Sequence, residues 1–162
     1  MTRSDWTSLT DAQLLAQCEV DTYRASGPGG QKRNKTSSAV RLRQLPSQLL
    51  VIAEESRSQH ENKARAQKRL RQRLWIALRE SLPAALPEPF TLNLGKKDER
   101  FWPAAGLALD ALDHFQAQVS TAAQWLGTTT GGFIDFLEMD DVLWTEANRI
   151  RQRHGLGQLR QG

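Results

Sequence analysis

The run Arg24-Ala25-Ser26-Gly27-Pro28-Gly29-Gly30-Gln31-Lys32-Arg33-Asn34-Lys35-Thr36 constrains this 162-residue chain more than any other stretch. Positions 27–30 hold three glycines and a proline, which continue neither a helix nor a strand ladder. Glycine adopts positive φ at little cost, and proline fixes φ and lacks the N–H donor. The chain must pass here through a shaped loop. No His, Cys, Asp or Glu lies between Arg24 and Thr36, so the loop carries no proton-transfer pair. It offers instead backbone amides beside Lys32, Arg33 and Lys35, a combination that suits an anionic partner such as a phosphate or a developing oxyanion. No Gly-Lys-Ser/Thr closes the run and no Gly-x-Gly-x-x-Gly spacing occurs, which excludes the phosphate loop and the dinucleotide fingerprint.

The flanking segments predict a small rigid body that presents this loop. Thr10 and Gln13 form a capping box before a short helix over about 11–17, docked by Leu14 and Leu15. Cys18, Val20 and Thr22 alternate with Glu19, Asp21 and Tyr23, the period of a half-buried strand. Asn34 to Ser37 favours one helical turn. Val40 and Leu42 then alternate with Arg41 and Arg43 in a second strand with a cationic outer face. A turn at 44–48 and a third, more buried strand at 49–53 complete an antiparallel hairpin. Ser58 and Glu61 form a second capping box, followed by Ala66, Leu70, Leu74, Ala77 and Leu78 at helical spacing, which predicts a helix over about 58–81. Pro83 and Pro87 stop it.

Residues 83–97 hold three prolines and read as a connector, with an edge strand expected at 90–94. Beyond Pro103, the positions Ala108, Leu112, Phe115, Val119, Ala122 and Leu126 fall on one helical stripe that ends at Gly127. Asp140 or Asp141 caps a last helix with Leu143, Trp144, Ala147 and Ile150 inward, ending near Gly155.

Charge divides the chain. Residues 1–80 hold 15 Lys/Arg against 8 Asp/Glu, and residues 81–162 hold 7 against 10, so the net charge of +4 is the sum of a basic front and a mildly acidic back. A basic half speeds encounter with a polyanion, and phosphate contacts make its affinity fall with salt. Cys18 is the only cysteine and the three histidines are dispersed, so neither a disulfide framework nor a metal or cofactor site is expected. The apolar run at 49–53 is too short to span a bilayer, and the N-terminus lacks a signal-peptide pattern, so a cytoplasmic protein without membrane contact is expected.

Gly29-Gly30-Gln31 followed by Asn34-Lys35-Thr36, Ser38-Ala39-Val40-Arg41-Leu42 and Arg57-Ser58-Gln59-His60-x-Asn62 resembles the catalytic domain of the class I peptide chain release factors, from about Glu19 to Leu74. The resemblance implies an α+β fold with a small antiparallel or mixed sheet, an exposed Gly-Gly-Gln loop and a packing helix. With the helical pattern behind it, the expected organisation is a catalytic domain over 1–82, a connector over 83–97 and a C-terminal helical extension over 98–162. The implied reaction is hydrolysis of the ester of peptidyl-tRNA in the peptidyl-transferase centre of the ribosome. Gly29, Gly30 and Gln31 are the implied catalytic residues, with the Gln31 backbone N–H as donor and its side chain, a substrate for N5-methylation by a glutamine methyltransferase, selecting water.

The partners implied are large-subunit rRNA and peptidyl-tRNA, with Arg24, Lys32, Arg33, Lys35, Arg41, Arg43, Lys63, Lys68, Arg69, Arg71 and Arg73 as RNA-binding candidates. A protein partner for the helical extension is a further expectation. Ser58, Gln59 and His60 are assigned to the helix start, not to catalysis. A full release factor also reads the stop codon through a Pro-x-Thr or Ser-Pro-Phe tripeptide; the expectation here is that neither tripeptide is present, hence codon-independent release from stalled ribosomes. The alternative is a non-catalytic ribosome-binding or assembly factor. Two positions depart from the family pattern: Arg33 where an apolar residue is usual, and Gln48 where the hairpin turn usually has glycine. The tail from Arg149 is also only mildly basic, unlike the long basic tails of rescue hydrolases.

Overall fold

A computed structural model describes residues 2–25 and 37–161. The chain divides into two compact units, Met1–Leu74 and Trp75–Gly162.

The first unit is built on a three-stranded antiparallel sheet of order β1-β2-β3, with β1 Cys18–Tyr23, β2 Ala39–Gln44 and β3 Leu50–Ala53. The fold is α+β, with two short helices before the sheet and the other helices after it. Register runs from Cys18 opposite Gln44 to Tyr23 opposite Ala39, and from Val40 opposite Ala53 to Arg43 opposite Leu50. Alternation in β2 is as the sequence predicts: Val40 and Leu42 are fully buried while Arg41 and Arg43 face solvent.

The other two strands differ from expectation. β1 is not half-buried: Glu19 to Thr22 are all exposed, Val20 at 41%, so neither face of its middle is covered, although the other edge strand, β3, does bury one face. β3 is not the more buried strand either, since Leu50 and Ile52 are 42% and 41% exposed and only Val51 and Ala53 point inward.

The turn between β2 and β3 is closed without glycine. Gln48 sits at φ 63, its N–H donates to the Gln44 carbonyl at 2.8 Å, and its Nε2 donates to the Leu45 carbonyl at 2.7 Å. A local side-chain bond thus offsets the left-handed backbone that glycine would adopt more easily.

Three helices complete the unit. α1, Arg3–Thr7, was not foreshadowed in the sequence; its Trp6 is buried at 8% exposure, and Arg71 Nη1 donates to the Thr7 carbonyl at its end at 2.9 Å. α2, Asp11–Ala16, starts on the expected box: Thr10 Oγ1 accepts from the Gln13 amide at 3.2 Å and Gln13 Oε1 accepts from the Thr10 amide at 2.9 Å. α3, Gln59–Ala77, ends four residues short of the expected 81 and buries Ala66, Leu70 and Leu74. Ser58 Oγ accepts from the Glu61 amide at 3.2 Å, but the Glu61 carboxylate turns away to take the Ser56 hydroxyl, whose oxygen in turn accepts the Ser58 amide at 3.0 Å. The box is closed through Ser56.

The second unit is helical: α4 Phe101–His114, α5 Val119–Trp125, α6 Thr130–Leu137 and α7 Asp141–Arg153. Its core is Phe101, Leu109, Leu112, Phe133, Leu137, Leu143 and Ile150, each fully buried. The stripe from Ala108 to Leu126 is two helices. Gln116 (φ 55) and Ala117 (φ 63) turn the chain, with the Gln116 amide on the Asp113 carbonyl at 3.1 Å and the Ala117 amide on the Leu112 carbonyl at 2.7 Å. That bond pair is a Schellman cap, the same closure found at Gly127 and Gly155, both at φ 75.

Asp140, not Asp141, caps α7, its Oδ1 accepting from Val142 and Leu143 at 2.9 and 3.0 Å. The expected edge strand at 90–94 does not form; Leu94 is buried, and Phe90 and Leu92 lay their side chains on the helical core from irregular backbone. That segment also contains one string that spells Pro-x-Thr, Pro89-Phe90-Thr91, contrary to the expectation that none is present. Its Phe90 packs on the core, while Pro89 and Thr91 are exposed and Thr91 Oγ1 accepts the Asn93 amide at 3.0 Å.

Candidate functional site

Gly29, Gly30 and Gln31, with Lys32, Arg33, Lys35 and the helical turn expected at 34–37, fall on residues 26–36 and lie outside the described residues, save Ser37. What the structure supplies is the frame from which that segment departs and to which it returns. Tyr23 and Ala39 are the last paired residues of β1 and β2, so the two arms leave one end of the sheet from adjacent strands.

Each arm is pinned by named contacts. On the outgoing side, Tyr23 Oη donates to Glu54 Oε2 at 3.0 Å. Glu54 follows Ala53, the partner of Val40, so the bond joins the last residue of β1 to the residue just after β3. Burial, then the hydrogen bond to Glu54 and its negative charge, push the Tyr23 hydroxyl above its ordinary pKa, against the opposing charge of Arg41. Arg41 stands 5.6 Å from the Tyr23 ring centroid and bonds Asp21 Oδ2 through Nη2 at 3.0 Å. Ala25, two residues further on, is buried at 8% exposure.

On the returning side, the carbonyls of Ser37 and Ser38 are both taken by side chains of α3. Gln59 Nε2 donates to the Ser37 carbonyl at 3.0 Å, and Asn62 Nδ2 donates to the Ser38 carbonyl at 2.7 Å. Asn62 is fully buried. Its Nδ2 also donates to the Ser56 carbonyl at 2.9 Å, and its Oδ1 accepts from the Ser56 amide at 3.0 Å. One primary amide therefore joins the return arm, the segment before α3 and the helix itself, using both of its hydrogens and its oxygen. His60 is exposed beside this network and takes no part in it.

The basic candidates separate by what already occupies them. Arg69 donates to the Ile52 carbonyl at 2.6 Å and pairs with Glu55, and Arg71 pairs with Asp11 at 2.7 Å as well as holding Thr7. These two tie α3 to β3, α1 and α2. Burial raises the Glu55 carboxyl, but the hydrogen bond from Arg69, the Glu55 amide and the charges of Arg69 and Arg65 outweigh it and hold the group below its ordinary value. Arg41 is likewise engaged by Asp21. Arg24, Arg43 and Lys68 are exposed, and Lys63 and Arg73 are half-buried on α3.

Among the described residues, no group of three or more His, Cys, Asp or Glu side chains is placed to hold a metal ion, and no helix is long and apolar enough to cross a membrane.

The frame just described coincides with a known domain: the family described as RF-1 domain matches residues 14–87. The match takes in the sheet and α3 and stops before the later helices. Over 79 residues it is 48% identical to peptide chain release factor 1 of Caulobacter vibrioides, covering 49% of this chain and 22% of that protein. It is 56% identical over 63 residues to peptide chain release factor 2 of Neorickettsia sennetsu, covering 38% and 17%, and 54% identical over 61 residues to peptide chain release factor 1 of Acetivibrio thermocellus, covering 38% and 17%. The chain thus spans less than a quarter of the length of these relatives. The RF-1 domain contains all three strands, α3 and both arms' anchors. Tyr23, Glu54, Gln59 and Asn62 were not singled out as site residues in the sequence; the signal was present in the block ending at Asn62, where a buried amide next to a Ser-rich approach marks a backbone anchor.

Proposed function

We propose that the chain is a translation factor that hydrolyses the ester of peptidyl-tRNA on the ribosome, through Gly29-Gly30-Gln31 and without reading a stop codon. The observation that carries this reading is the match of residues 14–87 to the RF-1 domain family, with the described arms on either side of residues 26–36 held by the Tyr23–Glu54, Gln59–Ser37 and Asn62–Ser38 bonds. Ester hydrolysis passes through a tetrahedral oxyanion, and a fixed N–H aimed at the developing charge lowers the barrier; losing one such donor costs about 2.7–4 kcal/mol. The Gln31 backbone amide fills that role in the resemblance, and the glycines before it allow a backbone torsion that a Cβ forbids.

Codon independence is part of the reading; the one Pro-x-Thr string, Pro89-Phe90-Thr91, sits in irregular backbone with Phe90 against the helical core and Pro89 and Thr91 exposed. Large-subunit rRNA and peptidyl-tRNA are the proposed partners, the cytoplasm the proposed compartment, and the Gln31 side-chain amide a proposed methylation site. Among the basic residues, Arg24, Arg43, Lys63, Lys68 and Arg73, with Lys32, Arg33 and Lys35, are the better proposed RNA contacts, since Arg41, Arg69 and Arg71 are already ion-paired.

The test is release of labelled peptide from peptidyl-tRNA on purified ribosomes with an empty decoding site. The wild-type chain releases peptide whatever codon is presented, and Gly30→Ala lowers the rate by about 100-fold or more. Ribosome binding without release by the wild type would reject the hydrolase and leave the non-catalytic binding factor.

A further inference from the structure

We infer that Gln59 and Asn62 are positioning residues: by holding the carbonyls of Ser37 and Ser38 they set where the chain re-enters the sheet after residue 36, and through that the rate of release. This rests on the hydrolase reading for its effect on release, but the contacts themselves do not.

Two consecutive carbonyls at the mouth of a segment that contains three glycines have no sheet partner to fix them, because pairing with β1 begins only at Ala39. Both are instead bound by side chains from the first turn of α3, Gln59 and Asn62, at 3.0 and 2.7 Å. α3 is in turn fixed by Arg69 on the Ile52 carbonyl and Arg71 on Thr7 and Asp11, so the two amides act from an anchored element. Asn62 suits the deeper position because only a primary amide supplies two donors and one acceptor for Ser38, Ser56 and Ser56 again. Aspartate of the same shape would set a carboxylate against two carbonyls. Gln59 works at the exposed rim, where its loss removes one contact and little packing.

That difference in depth makes the idea testable, since a surface variant leaves folding intact. Full-length wild type, Gln59→Ala and Gln59→Glu are compared, the last keeping the shape and losing the donor; Asn62→Asp is the deeper companion. Release is measured at saturating protein and as a function of protein concentration, alongside the melting temperature. In parallel, the initial rate of tryptic cleavage after Lys32, Arg33 or Lys35 is followed in the free protein.

For both Gln59 variants we expect the saturating release rate to fall about tenfold or more. The half-saturating concentration should stay within about twofold and the melting temperature within about 2 °C of wild type. Tryptic cleavage in the segment should quicken severalfold, because cleavage follows the population of open conformers. Wild-type values for both the saturating rate and the cleavage rate would overturn the inference, as would a rate loss matched by an equal fall in folded protein. If the wild type itself releases nothing, the hydrolase reading fails and the tryptic comparison alone decides whether the clamp exists.

Discussion

At the scale of single residues the front unit relies on carbonyls captured by side chains. Ser37 and Ser38 by Gln59 and Asn62, Ile52 by Arg69 and Thr7 by Arg71 are four cases in which a backbone acceptor outside regular pairing is satisfied from α3. Arg69 does so while pairing with Glu55, and this pair has a pH signature. The Glu55 carboxyl titrates below its ordinary value in the folded chain. Near pH 4 the unfolded chain therefore binds more protons, and the pair's stabilisation is present above about pH 4.3 and lost as pH falls through the lowered value. Both side chains are 40% or more exposed, so the contribution is only about 0.2–1 kcal/mol. Urea unfolding of wild type and Glu55→Gln should differ by that amount at pH 7, and the difference should begin to shrink below about pH 4.3. A difference that stays constant down to about pH 3 would show that the pair does not stabilise the fold.

Among elements, backbone torsion decides which glycines matter, and it also decided what was legible in the sequence. Gly131 lies in the first turn of α6 with open space where a Cβ would stand, whereas Gly155 holds a left-handed cap at φ 75, also in open space. Space is equal and torsion differs, so the two alanine substitutions should move stability in opposite directions. Gly131→Ala should stabilise by about 0.5–1 kcal/mol, and Gly155→Ala should destabilise by about 1 kcal/mol. Thermal melts of the two variants check this; equal shifts would refute the torsional account.

The same physics explains the reading errors. Gly127 and Gly155 announced their helix ends, but Gln116 closes a Schellman cap with no glycine to mark it, and the stripe of apolar residues ran on across the break. α6 was hidden because Gly131-Gly132 lowers helix propensity, although Thr129 caps it through the Gly132 amide at 3.0 Å. The loop's frame was legible because β2, α2 and α3 each obey period and capping rules. β1 was misjudged because period alone does not tell a strand with one covered face from one exposed on both faces.

For the whole molecule, charge follows the division into units. Met1–Leu74 holds 14 Lys/Arg against 7 Asp/Glu, and Trp75–Gly162 holds 8 against 11. If the basic unit makes the phosphate contacts, counterion release places the whole salt dependence of ribosome binding in it. The helical unit has its own core and its own internal anchor, since within Trp75–Gly162 Arg79 pairs with the buried Asp110 at 3.1 Å and bonds the Trp75 and Ile76 carbonyls. A chain ending after Leu82 keeps all of α3 and loses the acidic helices. We expect it, once shown folded by circular dichroism, to co-sediment with ribosomes at an affinity within about threefold of the full chain, with a slope of log K against log salt unchanged within about one. The reason is that the deleted unit is net negative and removing it takes away repulsion from rRNA as readily as contacts. An affinity more than tenfold lower at equal slope would instead make the helical unit a docking element that works through protein or shape, and would point the search for its partner to the ribosome's protein surface.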